Sequence, residues 1–356
     1  MAQAFSVALT AALVLVPLCI ALARRLGVVD KPGGRKTHAK VTPLLGGVGV
    51  FTAAVTAMAV VAWQSGTVGA NLQLGDITQV LAAGAVMFLI GLIDDVFKET
   101  MVFQLKLLGQ VLGVLVLMWP RLAALVTEGG EPGQWAYQVF FLLWYLTIVN
   151  SFNFSDNMNG LMSGLSVIAF AASVVYLGNL DSLRTLLIAV VLVGGLLGFM
   201  PYNFPRSRIF LGDAGSMFTG FFMGWIQLEL SGGFPDVGAA DFGFSRLVPA
   251  ILIMGVPLYD AAFVVVMRVV DRRPIYLGDN HHLSHRLVRG GFTPVEAVVL
   301  LWGLGLVLAG VGVLAAFSLP PYRYLLLGAS LLMMIVVTRL VMRFERRARE
   351  AGAAAA

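Results

Sequence analysis

Cysteine and charged residues are both scarce in this chain, and each scarcity excludes a class of protein. The 356 residues include one cysteine, Cys19, so no intramolecular disulfide can form and a disulfide-stapled secreted scaffold is excluded. Charged residues make up 12% of the chain, about half of the share that is usual in soluble domains. That content is too low for an ordinary soluble globule. Cys19 lies inside an apolar run, and we expect its thiol to be buried and inert.

Long apolar runs occupy most of the sequence instead. Hydrophobic residues make up 59% of the chain, and the runs come close to the length that crosses ~30 Å of hydrocarbon. We therefore predict an all-α fold, a polytopic transmembrane bundle of about eleven helices, or of ten because the third and fourth runs are short. The predicted helices cover residues 4–23, 44–63, 78–93, 103–119, 136–152, 160–178, 184–201, 214–230, 247–267, 294–317 and 322–342.

The domain organisation is simple, because the sequence contains no internal repeat, long linker or soluble domain. Residues 1–343 are predicted to form a single integral membrane domain. Residues 344–356 form a basic and then alanine-rich tail. That composition favours a disordered segment that touches anionic lipid headgroups.

Lysine and arginine lie mostly in the loops of one side. Of the 24 such residues, the loops of the opposite side hold only Arg121, Arg184, Arg246 and Arg323. The positive-inside rule therefore places the N-terminus outside and the C-terminus in the cytoplasm. This topology also accounts for the net charge of +5, so we predict no nucleic-acid partner.

Two adjacent acids, Asp94 and Asp95, directly follow an apolar run. An acid in the middle of a bilayer costs roughly 2.5–3.5 kcal/mol on insertion scales, so a tandem pair beside such a run indicates a site. Paired carboxylates with phosphate groups beside them suit magnesium. Lys98 is one candidate partner for the pair. A solvated helix end is the alternative, and the pair alone does not decide between the two.

Amide and acid side chains recur every three residues at Asn150, Asn153, Asp156 and Asn159. Steps of three residues advance by 300° on an α-helix, so a straight helix would turn the outer two to opposite sides. We predict a break near residues 156–160, which brings Asn153, Asp156 and Asn159 toward one pocket. Capping of the next helix is the alternative for Asp156 or Asn159 taken singly.

Asp213 and a histidine-rich loop complete the polar segments on the predicted cytoplasmic side. Asp213 lies in FLGDAGS before an apolar run, where it is either a helix N-cap or a metal ligand beside a phosphate site. His281, His282 and His285 fall within five residues. Because this segment lacks cysteine and a suitably placed glutamate, phosphate binding or acid–base chemistry is favoured over zinc.

Six segments resemble, in the same order, the motifs of the polyprenyl-phosphate N-acetylhexosamine-1-phosphate transferases. They are TPLLGG (42–47), DDVFK (94–98), NSFNFSDNMNGL (150–161), FLGDAGS (210–216), VPLYD (256–260) and DNHHLSHRL (279–287). The resemblance extends over about residues 24–290. Arg286, directly after the last histidine, makes the histidine loop more similar to the N-acetylglucosamine branch than to the muramoyl-pentapeptide branch.

The resemblance implies a magnesium-dependent reaction in the bacterial inner membrane, with Mn²⁺ as a substitute metal. N-acetylhexosamine-1-phosphate, above all N-acetylglucosamine-1-phosphate, would pass from a UDP-sugar to undecaprenyl phosphate at the cytoplasmic face. UMP would leave, and the lipid-linked diphospho-sugar would start surface-polysaccharide synthesis. The implied partners are the UDP-N-acetylhexosamine, undecaprenyl phosphate and membrane lipids, and a homodimer stays open.

The resemblance also implies roles for individual residues. The implied metal ligands are Asp213 and Asp95. The implied catalytic residues are Asp94, Asp95, Lys98, Lys106, His282 and His285. The implied substrate-binding residues are Thr42, Asn153, Asp156, Asn159, Phe210 and Arg286, with Phe210 stacking on uracil.

Two departures from the family pattern narrow these roles. Asn159 stands where many relatives carry an acid, which disfavours a metal role there, and Ser284 replaces a histidine.

The alternative functions are phospho-N-acetylmuramoyl-pentapeptide transfer, a polyprenyl-diphosphate hydrolase and a membrane transporter. A transporter is disfavoured because it needs ionisable groups near the bilayer midplane, whereas these groups collect at helix ends.

Overall fold

The computed structural model describes residues 1–31, 41–64, 74–97, 101–178, 182–232, 244–275 and 280–355. Within these ranges it contains thirteen α-helices, one 3-10 turn at Phe244–Arg246 and two short strands. The all-α fold predicted from the sequence is confirmed. The helices are α1 (Ala2–Leu26), α2 (Gly46–Gln64), α3 (Leu74–Val96), α4 (Phe103–Glu128), α5 (Pro132–Ser155), α6 (Leu161–Leu177), α7 (Leu183–Asn203), α8 (Gly212–Leu230), α9 (Val248–Ile253), α10 (Gly255–Val270), α11 (Leu283–Arg289), α12 (Pro294–Ala316) and α13 (Pro320–Ala355).

Helices cover each of the eleven apolar runs identified in the sequence. Among the described helices, eight are long and apolar enough to cross a membrane. The run at 247–267 is not one straight helix, because α9 and α10 meet at a bend of 93°. If these two helices together count as one span, the described helices contain nine candidate spans. Helix α6, with 17 residues, and helix α8 are not among the eight.

Local sequence signals explain several helix boundaries. Helix α1 carries Arg24 and Arg25 in its last turn and ends at Gly27, whose φ of 73° is left-handed. Helix α12 begins with a capping box, in which Thr293 accepts a bond from Glu296 N and Glu296 bonds back to Thr293 N. These helix ends are therefore encoded locally.

Helix α8 forms the centre of the bundle. It packs against α2, α3, α5, α6 and α7, and every residue from Gly212 to Leu230 except Asp213 and Glu229 is buried. A helix that is apolar on all sides belongs inside a bundle, and the aromatic segment around Phe218, Phe221 and Phe222 fills that position. Asp213 is the acid in its first turn.

A two-stranded sheet lies beside the start of α8. Strand β1 (Val29–Asp30) pairs antiparallel with β2 (Thr42–Pro43). The Pro43 carbonyl accepts a hydrogen bond from Phe210 N at 2.9 Å. The sheet therefore fixes the segment that leads into α8.

Helix α13 is 36 residues long and continues through residues 344–355. The sequence predicted a disordered tail there, whereas the structure continues the helix to Ala355. Alanine, glutamate and arginine are strong helix formers, and Glu345 is buried against other helices, so the segment has both local and tertiary reasons to be helical.

Candidate active site

Lys106, in the first turn of α4, joins acids from two other helices. Its Nζ donates hydrogen bonds to Asp94 Oδ2 at 2.8 Å and to Asp213 Oδ2 at 2.5 Å. Asn153 Oδ1 lies 3.4 Å from the same nitrogen. We call Asp94, Lys106, Asn153 and Asp213 the Lys106 cluster, and the end of the bundle that holds it the site end. Two carboxylates and one ammonium group leave the cluster with one formal negative charge.

Asn153 fixes the orientation of the Asp213 carboxylate. Its Nδ2 donates to Asp213 Oδ1 at 2.6 Å and to Ser216 Oγ at 2.9 Å. The Asp213 side chain therefore faces Lys106 and Asn153. The N-cap of α8 is Leu211, not Asp213, and no side chain at that position makes a cap bond. The structure thus contradicts the alternative in which Asp213 is the N-cap of its own helix.

Asp95 contacts the backbone at the start of α8. Its Oδ1 accepts from Asp213 N at 2.9 Å and its Oδ2 accepts from Ala214 N at 3.0 Å. The residue is buried, with 4% of its surface exposed. Asp95 therefore caps α8 from the neighbouring helix α3, where the helix dipole also favours a negative charge. Adjacent residues on a helix point about 100° apart, which explains why Asp94 and Asp95 have different partners.

Two glycines allow this close contact between α3 and α8. Gly212 has a φ of +74°, and a Cβ there would lie 2.5 Å from Asp95 Oδ2. A Cβ at Gly91, one turn before Asp95, would overlap the carbonyl of Asp213. Any larger residue at these positions would separate the two helices.

A second polar pair lies one helical turn from the cluster. Asn150 Nδ2 donates to Gln110 Oε1 at 2.8 Å, and Gln110 Nε2 lies 3.4 Å from Asn150 Oδ1. Gln110 is 1% exposed. Sequence reasoning missed it because it lies inside an apolar run. Its position four residues after Lys106, on the same helix face, is the signal that could have identified it.

The helix break predicted near residues 156–160 is confirmed. Helix α5 ends at Ser155 and α6 begins at Leu161. Asn203 Oδ1 holds the turn by accepting from Gly160 N at 2.7 Å. Asn153 joins the Lys106 cluster, whereas Asp156 and Asn159 lie half-buried in the turn itself. Their predicted contact with a nucleoside stays a prediction.

Phe210 and Thr42 belong to the segments that lead into helices α8 and α2. The Phe210 carbonyl accepts from Gly46 N at 3.1 Å, and Gly47 N donates to Leu211 O at 2.7 Å. The start of α2 is thereby bonded to the start of α8. Thr42 is buried in β2. Their predicted roles in substrate binding stay predictions.

Asp260, on α10, holds the histidine loop. Its Oδ2 lies 2.6 Å from His282 Nδ1, and its Oδ1 accepts from Leu283 N at 2.8 Å. Because a carboxylate accepts hydrogen bonds, this contact assigns the Nδ1 proton to His282 and leaves Nε2 for another partner. The ring centres of His282 and His285 are 6.1 Å apart. Asp260 closes the VPLYD motif, but sequence reasoning gave it no role.

His282 is connected to the Lys106 cluster through the end of α5. The ring of Phe154, the neighbour of Asn153, lies 6.5 Å from the His282 ring. The Arg268 guanidinium lies over the Phe154 ring, 5.3 Å from its centre. The histidines and the cluster therefore belong to one end of the bundle.

Arg286 is buried and forms an ion pair. Its Nη1 lies 2.8 Å from Glu345 Oε2, and its Nε donates to the His281 carbonyl at 3.0 Å. The predicted contact of Arg286 with substrate stays a prediction. Lys98, the other predicted cation, lies outside the described residues.

The donor set at the Lys106 cluster fits a magnesium ion shared with phosphate groups. Asp94 and Asp213 aim carboxylate oxygens at one common cation, the Lys106 ammonium. Magnesium in phosphate-transfer sites usually takes one or two carboxylates and fills its shell with phosphate and water oxygens. Within the described ranges no group of three or more histidine, cysteine or acidic residues is arranged around one metal position.

Comparison with known proteins agrees with the resemblance of the motifs. Residues 77–231 match the family described as glycosyl transferase family 4. The chain is 29% identical to the probable undecaprenyl-phosphate N-acetylglucosaminyl 1-phosphate transferase of Bacillus subtilis, over 85% of this chain and 82% of that protein. It is 30% identical to the decaprenyl-phosphate N-acetylglucosaminephosphotransferase of Mycolicibacterium smegmatis, over 89% and 82% of the two chains. It is 28% identical to the undecaprenyl-phosphate alpha-N-acetylglucosaminyl 1-phosphate transferase of Escherichia coli O157:H7, over 92% and 90%. The resemblance found in the motifs is thus confirmed, and this chain belongs to glycosyl transferase family 4.

Proposed function

We propose that this protein transfers N-acetylglucosamine-1-phosphate from UDP-N-acetylglucosamine to a polyprenyl phosphate such as undecaprenyl phosphate. The observation that carries the proposal is the Lys106 cluster, in which one cation joins two acids from separate helices at one end of a membrane bundle. The names of the relatives support a polyprenyl phosphate acceptor and N-acetylglucosamine as the sugar. They favour this reaction over transfer of phospho-N-acetylmuramoyl-pentapeptide.

The proposed reaction exchanges one phosphoanhydride for another. An oxygen of the lipid phosphate attacks the β-phosphorus of the UDP-sugar, and the bond from that phosphorus to the UMP oxygen breaks. The sugar keeps its bond from C1 to oxygen. The lipid phosphate gains a sugar-1-phosphate and becomes a lipid-linked diphospho-sugar, and UMP leaves. The lipid phosphate is already ionised near neutral pH, so neither a protein nucleophile nor a strong general base is needed.

Residues of the Lys106 cluster would bind the metal ion and a phosphate oxygen of the substrates. Asp94 and Asp213 would hold Mg²⁺, or Mn²⁺ in its place, and the bound ion would neutralise the diphosphate. Lys106 would keep the two acids in position and bind a phosphate oxygen. Asn153 would hold Asp213 in the orientation seen in the structure. Asp95 would act through α8, by fixing the backbone that carries Asp213.

The histidine loop would also bind the diphosphate. His282, with its Nδ1 held by Asp260, can present Nε2 to a phosphate oxygen, and His285 lies beside it. Both would contact the β-phosphate during transfer. The turn at Asp156–Asn159 and the ring of Phe210 would receive the uridine.

We propose that the site end faces the cytoplasm of a bacterial cell, with the N-terminus outside. The uneven distribution of lysine and arginine supports this orientation. The polyprenyl chain would stay in the bilayer while its phosphate reaches Lys106. A soluble UDP-sugar would enter from the aqueous side.

The test is a reconstituted reaction with the nucleotide product identified. Purified protein, Mg²⁺ and undecaprenyl phosphate are incubated with UDP-N-acetylglucosamine, UDP-N-acetylgalactosamine or UDP-N-acetylmuramoyl-pentapeptide in parallel. We expect UMP and a lipid-linked N-acetylglucosamine diphosphate, formed only when undecaprenyl phosphate is present. Release of UDP with a lipid that bears one phosphate would refute the proposed reaction. The matched control is Asp213→Asn, which keeps the shape of the side chain and removes its charge.

A further inference from the structure

Glu345, close to the end of α13, is a buried acid that binds three arginines. Its Oε2 lies 2.8 Å from Arg286, and its Oε1 lies 2.7 Å from Arg289 and 2.6 Å from Arg349. The Glu345 side chain is 5% exposed, whereas that of Arg349 is 70% exposed. Glu345 lies in the segment for which the sequence predicted a disordered tail. The structure instead makes this segment part of the site end.

Two of the three arginines, Arg286 and Arg289, come from helix α11, which contains His285 and directly follows His282. This helix has seven residues, which is far below the ~12–15 residues at which isolated helices become marginally stable in water. Its position must therefore be set by contacts with other elements. Asp260 holds its first residue through Leu283 N, and Glu345 holds Arg286 and Arg289 in its second half. The helix is thus fixed between two buried acids, one at each end.

Arg286 couples Glu345 to the histidines. It directly follows His285, and its Nε donates to the His281 carbonyl at 3.0 Å while its Nη2 lies 3.1 Å from His281 Nδ1. Its guanidinium lies 5.3 Å from the ring centre of Phe263 on α10. Because Arg286 and His285 are adjacent on one helical turn, the direction of one side chain determines the direction of the other.

We propose that Glu345 is a positioning residue, which sets the rotation of α11 so that His282 and His285 face the bound diphosphate. The proposal rests on the proposed function, since it assigns those histidines to the substrate. Without Glu345, the buried Arg286 and the half-buried Arg289 lose their common counter-ion, and α11 must rotate or loosen. The histidines then lose the geometry that the reaction needs, although none of their own contacts has been changed by mutation.

The experiment compares three full-length variants in lipid nanodiscs. Glu345→Ala removes the acid, and Glu345→Gln keeps its size and part of its hydrogen bonding. Arg349→Ala is the matched control, because it removes a partner of Glu345 that does not belong to α11. We measure kcat, KM for UDP-N-acetylglucosamine and the hydrogen exchange of the amides in residues 283–289.

We expect kcat to fall about 10–100-fold in Glu345→Ala with KM within about threefold of the wild type, because misplaced contact groups weaken the transition state. The kcat of Glu345→Gln should lie between those of the wild type and Glu345→Ala. If Glu345→Ala does not fold, Glu345→Gln alone provides the test. Exchange in residues 283–289 should rise in both Glu345 variants. Arg349→Ala should match the wild type in all three measurements.

Three results would overturn the proposal. One is an unchanged kcat in folded Glu345→Gln and Glu345→Ala, another is a rise in KM alone, and the third is an equal loss in Arg349→Ala. The exchange measurement needs no turnover, so it tests the contact between Glu345 and α11 even if the proposed reaction fails. Failure of the proposed function would instead be seen as the absence of UMP with the wild-type protein.

Discussion

Substitution of Asp95 by asparagine should destabilise the protein even when no metal is present. Asp95 accepts one backbone N–H group on each carboxylate oxygen, at 2.9 and 3.0 Å. Asparagine replaces one of these oxygens by an NH2 group, which cannot accept, so one N–H group loses its partner. A buried donor left without a partner costs about 1–3 kcal/mol, and the lost interaction of the charge with the helix dipole costs up to ~2 kcal/mol. We therefore expect Asp95→Asn to lower the free energy of unfolding by about 2–4 kcal/mol.

Asp94→Asn is the matched control, because it makes the same chemical change one residue away. Lys106 keeps Asp213 as a partner in that variant, and the two acids no longer repel each other. We expect a smaller loss of unfolding free energy than in Asp95→Asn, because no buried backbone N–H group loses its partner. The measurement is denaturant unfolding of both purified variants in detergent with EDTA present. Equal destabilisation by the two substitutions would show that Asp95 does not act as the cap of α8.

A comparison of Asp95→Asn with Asp213→Asn separates a positioning role of Asp95 from a role as metal ligand. Ligands that bind only the folded state raise its stability by mass action. Addition of Mg²⁺ and UDP-N-acetylglucosamine should therefore stabilise Asp95→Asn as much as the wild type, and should not stabilise Asp213→Asn. Loss of this stabilisation in Asp95→Asn would instead favour the metal role predicted from the sequence.

Three further predictions concern the site. Lys106→Met should lower kcat more than ~100-fold, because Asp94 and Asp213 lose the cation that joins them; a rate near the wild-type value in a single-turnover assay would remove Lys106 from the site. Exhaustive chelation with EDTA should abolish UMP release, and Mg²⁺ or Mn²⁺ should restore it; full activity after chelation would contradict metal dependence. Asp260→Asn should lower kcat about 10–100-fold by releasing the ring of His282. The control is Asp271→Asn, because Asp271 is an acid that lies 3.3 Å from the neighbouring His281 and has no contact with His282 among those described. An equal effect of the two substitutions would contradict a role of Asp260 in orienting His282.

The fold was largely predictable because long apolar runs in the sequence indicate which segments form membrane-spanning helices. Helices cover every predicted run, but the bend at Met254 was missed because apolar composition is the same on both sides of it. Gly255 and Pro257 lie just after the bend and were the available local signal. The helical continuation through residues 344–355 was also missed, although alanine, glutamate and arginine are strong helix formers. The sequence alone does not show that Glu345 is buried beside Arg286.

The site was predictable as a set of residues but not as a set of contacts. Asp94, Asp213 and Asn153 were identified from their chemistry and their motifs, and the structure brings them together. Which acid of the pair faces Lys106, and which faces α8, depends on the rotation of α3 against its neighbours. That rotation is set by packing between distant segments, which one sequence does not encode in any local pattern.

The approach of α3 to α8 at Gly91 has a consequence for judging sequence variants of this protein. Gly91 lies near the end of an apolar segment, three residues before Asp94, and a change to alanine or valine would raise the hydropathy of that segment. By any membrane-insertion scale such a change is benign. The Cβ would nevertheless meet the carbonyl of Asp213, so the relief of that overlap would move Asp94 and Asp95 away from their partners. A variant that is neutral for membrane insertion would then disturb the active site.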